Sequence, residues 1–275
     1  MLHFINKVLS VLGLQLNQCF FMNDLLAGRM HPINRVLSVL GLQLSRMSDE
    51  IRKFQEQYER NYEHVIKNGR GFKAIKHFRY MGGGSHPTSI SDLHAEFVSY
   101  HLYKAKPKKV LDIGSYRLYI LGLLAHYDVT TIDFRERKSR LDNETIITSN
   151  ARALDLSDHS FDAVVSLAAL ANFGLGRYGD EFDLDADIKA VNEMIRVLKP
   201  GGLLIFEANI ANTEPTILWN RARVYDLTMI RNLCANLDCV EEKFFKHRPL
   251  RDCSFEELAT DPKHFNSYLG CWRKK

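Results

Sequence analysis

The run Val110-Leu111-Asp112-Ile113-Gly114-Ser115 and the acid Asp133, nineteen residues past its glycine, are the residues of this chain best suited to chemistry. The run is apolar apart from Asp112, which suits a strand buried on both faces of a parallel sheet. Gly114 allows a sharp turn and leaves room for a ligand against the backbone. The segment Tyr116 to His126 places Leu118, Leu121, Gly122 and Ala125 at helical spacing, and Asp128 to Asp133 reads as a second strand. An acid at that strand's end is where a nucleoside-binding α/β fold holds ribose hydroxyls.

The identity of the nucleoside follows from what the turn lacks. A dinucleotide requires G-x-G-x-x-G so that the pyrophosphate can approach the backbone. The matching positions here are Gly114, Tyr116 and Tyr119, and the two aromatics disfavour NAD or FAD. S-adenosylmethionine has no phosphate and tolerates a bulkier turn. Its amino-acid end needs acceptors for an ammonium and donors for a carboxylate, for which Asp112, the Gly114 carbonyl, Ser115 and Arg117 are the candidates.

These residues need a scaffold, and the chain from 108 onward supplies one. Strands are predicted at 108–113, 128–133, 144–149, 161–167 and 202–208, with helices between them. The clearest helix is 186–198, with Ile188, Val191, Ile195 and Leu198 on one face. Such alternation predicts a parallel sheet with right-handed crossovers. Cys239 to Phe245 and Ser267 to Trp272 read as a terminal strand pair, one of them antiparallel.

The segments ahead of that scaffold are different. Phe4-INKVLSVLGLQLN-17 recurs as Pro32-INRVLSVLGLQLS-45, offset by 28 residues. Each copy spaces apolar residues (5, 8, 9, 12 and 33, 36, 37, 40) as a short amphipathic helix ended by Gly13 or Gly41. The repeat reads as a duplicated or over-extended start, or as a helix that docks on a membrane surface or a protein. Ser48 is the expected N-cap of a longer helix with Ile51, Phe54, Tyr58, Tyr62 and Val65 on one face. Gly82-Gly83-Gly84-Ser85 is a hinge, linker or lid, and Ser91 is expected to cap a helix reaching Ala105. The predicted organisation is therefore 1–46, a duplicated amphipathic segment; 47–89, a helical extension and linker; and 90–275, the α/β domain.

Composition narrows the function classes. The 275 residues are 45% hydrophobic with formal net charge +4, enough for one sizeable core and no signature of nucleic-acid binding. The basic groups at 104–109 and 135–140 read as solvated strand ends. The five cysteines are scattered without zinc spacing, which points to a reducing, cytoplasmic setting. No run of eighteen apolar residues is present to span a membrane.

By its motifs the stretch 90–275 resembles the class I S-adenosylmethionine-dependent methyltransferases. V-L-D-I-G-S (110–115) is similar to the family's first motif and V-T-T-I-D-F (129–134) to its second. The segment 149–162 resembles the adenine-contacting loop, and M-I-R-V-L-K-P-G-G-L-L-I-F-E (194–207) resembles the turn before strand five. The resemblance implies a Rossmann-like, doubly wound, seven-stranded sheet, mostly parallel with the last strand antiparallel, after an N-terminal helical extension. It implies S-adenosyl-L-methionine as cofactor, with contacts at Asp112, Gly114, Asp133, Phe134, Asn150 and Ala151. Asp133 would hold the ribose, Phe134 would pack on adenine, Asn150 would meet its amino group and the Ala151 amide a ring nitrogen.

A narrower resemblance joins Phe173-G-L-G-R-Y-G-D-180 with Leu184, and Trp219-N-R-A-R-V-Y-225, to a bacterial methyltransferase-like group. That group carries Glu-His where this chain has Ala171 and Asn172. The candidate catalytic set is Asn172, Arg177, Tyr178 and Asp180. Asp180 or Tyr178 would orient or deprotonate an acceptor, Arg177 would bind an anionic group, and Asn172 would donate a hydrogen bond. The bland reading makes this segment a rigid loop. Asn220, Arg221, Arg223 and Tyr225 form either a cover over the acceptor or a solvated helix face. His86 and His94 read as structural or as neighbours of the cofactor's amino-acid end. Asp183, Asp185 and Asp187 read as acids favoured by a helix N-terminus rather than as metal ligands. The expected activity is methyl transfer to an O or N atom of a small-molecule or glycan-like acceptor. The alternative is a non-catalytic nucleoside-binding module acting as a partner-binding subunit.

Overall fold

The computed structural model describes residues 14–18, 42–46, 49–79, 88–139 and 141–275. The chain divides into two compact units, Met1–Ser85 and His86–Lys275. In the first, β1 (Leu14–Gln18) and β2 (Leu42–Arg46) pair antiparallel, Leu16 opposite Leu44. The residues after the glycine in each repeat copy are thus strands that pair with each other. The helices expected at 5–12 and 33–40, the cap Ser48, the glycine run 82–85 and His86 lie outside the described residues. Helix α1 (Asp49–Asn68) begins with two acids and ends with Lys67, charges that suit the two ends of its dipole. Phe78 from the following segment stacks edge-on against Phe54 and Tyr58, with ring centroids 5.6 and 5.2 Å apart. Lys76 lies over the Tyr62 ring and pairs with Glu59.

The second unit opens with α2 (Ile90–Ala105), capped by Ser89 rather than Ser91. Ser89 and Asp92 exchange side-chain and backbone bonds as a capping box. Then come β3 (Lys109–Ile113), α3 (Arg117–Leu123), β4 (Asp128–Asp133), β5 (Glu144–Thr148) and β6 (Phe161–Ser166). Helix α4 (Ala186–Val197) leads into β7 (Leu198–Ile210). A small hairpin, β8 (Thr216–Leu218) with β9 (Ala222–Val224), precedes α5 (Leu227–Leu233). The chain ends in β10 (Leu237–His247), β11 (Leu250–Cys253) and β12 (Asn266–Lys274).

The sheet order is β11-β10-β12-β7-β6-β3-β4-β5. Strands β5, β4, β3, β6 and β7 are parallel, and β12 runs antiparallel between β7 and β10. This is the expected mostly parallel, doubly wound sheet, extended by an eighth strand, β11, that hairpins onto β10. Neighbouring residues on one strand feed opposite cores. Leu111 and Val164 pack with Met194, Phe206 and Tyr225 on one face. Val110 and Val165 pack with Phe97, Leu102 and Ile120 on the other. Between β4 and β5, and between β5 and β6, the expected helices are absent among the described residues, which cross in turns and coil. Gly-rich Pro200-Gly201-Gly202 lies inside β7, with Gly201 at φ +77°, rather than ahead of it.

Sheet order reverses between β3 and β6, whose C-terminal ends open a crevice of the kind where open α/β sheets bind ligands. Among the described residues no helix is long and apolar enough to cross a membrane.

Candidate functional site

A cavity of about 690 Å³, its open mouth included, occupies that crevice. Its walls come from the turn after β3 (Ile113, Gly114), the end of β4 with the two residues beyond it (Ile132 to Arg135), the loop after β5 (Ser149 to Ala151) and the loop after β6 (Ala168 to Asp180). Gly114, Asp133, Phe134, Asn150 and Ala151 meet on this wall, as do Asn172, Tyr178 and Asp180. Residues from four separate loops are therefore gathered by the sheet alone.

Gly114 has φ +73°, and a Cβ there would stand 2.8 Å from the Cβ of Ala169. The turn needs glycine both for its backbone and for this close approach. Asp133 stands at the C-terminal end of β4 with its carboxylate about one-tenth exposed. The Arg135 backbone N–H and Nε bond Oδ1 at 2.9 and 3.1 Å, while Arg135 Nη2 and Arg137 Nη2 each bond Oδ2 at 3.1 Å. Burial works to raise this carboxyl's pKa, yet the Arg135 bonds and the two guanidinium charges hold it below the usual carboxylate range. Four donors fill the lone-pair positions of a carboxylate. A diol must therefore displace one of them, and Arg135, exposed at 60%, is the least confined.

Phe134 is exposed on the cavity wall, free to stack. Asn150 Oδ1 accepts the Arg152 N–H at 3.1 Å, which fixes its amide plane beside the Ala151 backbone. From the loop after β6, the Tyr178 ring lies under the Arg135 guanidinium (4.8 Å to the centroid) and near that of Arg177 (5.3 Å). Asp180 Oδ1 accepts the Tyr178 N–H at 3.2 Å. Asn172 donates through Nδ2 to the Ala168 carbonyl at 3.2 Å.

Four candidate residues stand elsewhere than on the cavity wall. Ser115 is buried, and its Oγ accepts the Leu167 N–H at 3.0 Å, tying β3 to β6. Arg117 forms a two-pronged pair with Glu144, Nη2 to Oε2 at 2.7 Å, so its charge is spent on the start of β5. Arg177 is exposed outside the wall and donates to the Arg221 carbonyl (3.0 Å) and Asn172 Oδ1 (3.4 Å). Asp112 is fully buried behind the turn, and neither of its oxygens has a hydrogen-bond partner.

Burial pushes the Asp112 carboxyl up to about 7. A raised acid contributes stability at low pH that is lost as pH rises from its unfolded value near 4 through about 7. Urea unfolding of the ligand-free chain should therefore show stability declining from pH 5 to pH 8, with Asp112→Asn losing its share of that decline. Equal slopes in the two proteins would contradict this environment for Asp112.

Sequence reasoning missed Arg137, placed among solvated basic residues. Its side chain is mostly buried, and one guanidinium nitrogen, Nη1, has no hydrogen-bond partner. An acid without donors and a guanidinium nitrogen without an acceptor are thus both buried next to the turn. Arg223, read as a cover or a solvated face, is a buried anchor: it donates to the carbonyls of Phe173, Asp183 and Leu184 from β9. Tyr225 donates to Asp187 at 2.8 Å. Asp183 is held by Arg152 and Lys189, both at 2.8 Å, and Asp185 precedes α4 without a side-chain cap. Among the described residues no three His, Cys, Asp or Glu are gathered as a metal site.

The structure resembles that of the Burkholderia thailandensis 1,6-didemethyltoxoflavin-N1-methyltransferase with bound 1,6-didemethyltoxoflavin and S-adenosylhomocysteine. The match has TM-score 0.51 and 13% identity and covers 91% of this chain and 93% of that one. The N-methyltransferase NodS from Bradyrhizobium japonicum WM9, in complex with S-adenosyl-L-homocysteine, is similar at TM-score 0.48 and 19% identity, over 67% of this chain and 86% of that one. The Burkholderia likeness shows a shared fold. No curated protein matches the chain. Residues 114–251 match the family described as "Caenorhabditis protein of unknown function, DUF268".

Proposed function

The chain belongs to the family described as "Caenorhabditis protein of unknown function, DUF268", and from the cavity we propose that it is an S-adenosylmethionine-dependent methyltransferase acting on an O or N atom of a small-molecule or glycan-like acceptor. The observation that carries this reading is the convergence of Asp133, Phe134, Asn150 and Gly114 on one cavity at the β3/β6 switch point. The Burkholderia protein of the same fold is an N-methyltransferase with S-adenosylhomocysteine bound.

The residues present fit the cofactor. Asp133 would accept the ribose hydroxyls once Arg135 swings aside. Phe134 would stack on the adenine, and Asn150 and the Ala151 N–H would meet its edge. Asp112 would hold the ammonium, in the role expected of it. Arg137, with its unpartnered Nη1, would take the carboxylate in place of Arg117. Bound there, S-adenosylmethionine supplies a methyl group already activated on a sulfonium sulfur. The remaining work is positioning and, for a hydroxyl acceptor, removal of a proton. Tyr178 and Asp180 on the loop after β6 are the groups for that step, with Asn172 as a donor and Arg177 at the rim for an anionic group. A role for residues 1–46 in docking on a partner or membrane surface, and the division at 46 and 89, belong to the same proposal.

Asp133→Ala should weaken S-adenosylhomocysteine binding by about 1–3 kcal/mol, the range for charge-assisted hydrogen bonds in a partly buried site. Arg135→Ala should leave the affinity equal or tighten it a few-fold, because an exposed ion pair contributes about 0–1 kcal/mol and here competes with the ribose. Calorimetry on both variants decides; unchanged affinity in Asp133→Ala would displace the ribose from this carboxylate.

A further inference from the structure

An exposed aromatic pair stands beside the loop that lines the cavity. Trp219 opens the turn between β8 and β9 and is 70% exposed. Phe182, 55% exposed, meets it edge-on, with ring centroids 5.6 Å apart and planes at 75°. The chain's other tryptophan, Trp272, is buried. An indole left in water forgoes the burial that stabilises a fold, and clustered apolar surface rimmed by polar groups marks a contact site. The turn is held from both sides. The Arg221 N–H donates to the Leu218 carbonyl, and the Arg221 guanidinium lies 4.9 Å from the Phe265 ring centroid.

Arg177 joins this pair to the cavity. Its Nη1 donates to the Arg221 carbonyl, in the same turn as Trp219, at 3.0 Å. The same nitrogen donates to Asn172 Oδ1, on the cavity wall, at 3.4 Å. Among the described residues no acceptor stands at Arg177 Nη2 or Nε, and no carboxylate lies within ion-pair distance of it. That free edge is the one a guanidinium uses to bind a carboxylate through two parallel bonds. We propose that Trp219, Phe182 and Arg177 form a subsite for an acidic sugar: the indole stacks on the C–H face of a pyranose ring, and the free Arg177 edge binds its carboxylate. That this sugar is the acceptor rests on the methyl-transfer reading of the cavity.

Shape and charge both select this class. A pyranose turns several C–H bonds to one face, and those polarised hydrogens suit the negative face of an indole. A flat aromatic ligand is best held in a slot between parallel rings. Here Phe182 stands nearly perpendicular to Trp219, which makes a corner with one open indole face. The negative charge follows from which cations are committed. Arg152 pairs with Glu181 and Asp183, Lys189 with Asp183, and Arg135 with Asp133. Arg177 carries a charge that no acid among the described residues has claimed, and so does Arg221 over Phe265. Two such charges beside an exposed indole give a local positive potential that favours an anion over a neutral ring. Asn172, Tyr178 and Asp180 line the cavity next to this point, so a sugar bound here borders the groups assigned to the acceptor.

Saturation-transfer NMR and calorimetry on the full-length chain test this with methyl α-D-glucuronide as the probe. Methyl α-D-glucoside is the same ring without the charge, and benzoate is a flat anion without the sugar. The glucuronide should bind saturably, with transfer strongest to the C–H protons of one ring face. The glucoside should bind about tenfold or more weakly, the effect of losing one charge-assisted pair. Arg177→Gln should bring the glucuronide down to the glucoside's affinity. Trp219→Ala should abolish the one-face transfer and Trp219→Tyr should restore it in part, a pattern that loss of folding does not produce. No saturable binding of the glucuronide, equal affinity for glucuronide and glucoside, unchanged binding in Trp219→Ala, or tighter binding of benzoate overturns the proposal. Calorimetry of the wild type with S-adenosylhomocysteine is a separate arm. A chain that binds the glucuronide but no S-adenosylhomocysteine keeps the subsite and loses the methyl-transfer reading; one that binds S-adenosylhomocysteine but no glucuronide keeps that reading and loses the subsite.

Discussion

Gly114→Val should cost the chain about 2–5 kcal/mol of stability and reduce S-adenosylhomocysteine affinity at least tenfold. Two effects add. An L-residue in the left-handed region costs roughly 1–2 kcal/mol, and Gly114 sits there at φ +73°. The new Cβ would stand 2.8 Å from the Cβ of Ala169 and 3.8 Å from Phe173 Cε1. Overpacking of this kind costs about 1–3 kcal/mol. Ala169 cannot simply withdraw, because its carbonyl accepts the Asn172 N–H at 2.9 Å and the carbonyl of its neighbour Ala168 accepts from Asn172 Nδ2. The strain therefore enters the cavity wall, where the affinity is lost. Gly179→Ala separates the two effects. Gly179 has φ +83° but nothing within 4 Å of its built Cβ. It should lose only the conformational part, about 1 kcal/mol, in urea denaturation. Equal losses at the two sites would mean that the approach of Ala169 carries no energy.

Arg223→Met should destabilise the chain by about 3–5 kcal/mol, as expected when one member of a buried ion pair is removed. The Arg223 side chain is 7% exposed. It donates to the Phe173 carbonyl at 2.5 Å and the Leu184 carbonyl at 2.8 Å, and more weakly to that of Asp183 at 3.3 Å. It also lies 3.4 Å from Asp187 Oδ1, whose other oxygen accepts from Tyr225. Removal leaves loop carbonyls without donors and an almost buried carboxylate with one hydroxyl partner. Arg223→Lys should recover little, since one ammonium cannot reach carbonyls that a guanidinium spans in a plane. The double variant Arg223→Met/Asp187→Leu should regain part of the loss, because the stranded charge is gone. Denaturation of the three variants checks this; a loss under 1 kcal/mol in Arg223→Met would mean that the loop 173–184 is held by other contacts. Since that loop carries Tyr178 and Asp180, the destabilised variant should also bind acceptor-side ligands poorly.

Much of the fold could be read in the sequence because parallel strands buried on both faces are short apolar runs. Val110–Ile113, Phe161–Ser166 and Leu203–Phe206 are such runs, and the terminal pair 239–245 with 267–272 lies inside β10 and β12. Strand β11 was less legible: Leu250–Cys253 is four residues on a sheet edge, two of them charged. The cofactor half of the site was legible for a local reason. Gly114, Asp133, Phe134, Asn150 and Ala151 each stand at or just past a strand's end, so strand position alone places them.

Side chains whose role depends on a distant partner were not. Arg117 looked free because Glu144 is 27 residues away. Arg137 looked solvated because basic residues surround it in sequence. Arg223 sits in a strand of three residues, too short for an alternating pattern. Glu207 lies inside the apolar strand β7, but its partner Ser267 is 60 residues downstream. A lone acid within a buried strand was the available signal, and it points to a buried carboxylate that needs donors.

The central claim is that the cavity takes a nucleoside joined to an amino acid rather than a dinucleotide. Titration calorimetry of the full-length chain with S-adenosylhomocysteine and with NAD⁺ tests it most directly. The account predicts saturable one-to-one binding of S-adenosylhomocysteine and weaker or absent binding of NAD⁺. Tighter binding of NAD⁺, or no heat from S-adenosylhomocysteine at saturating concentration, would contradict it.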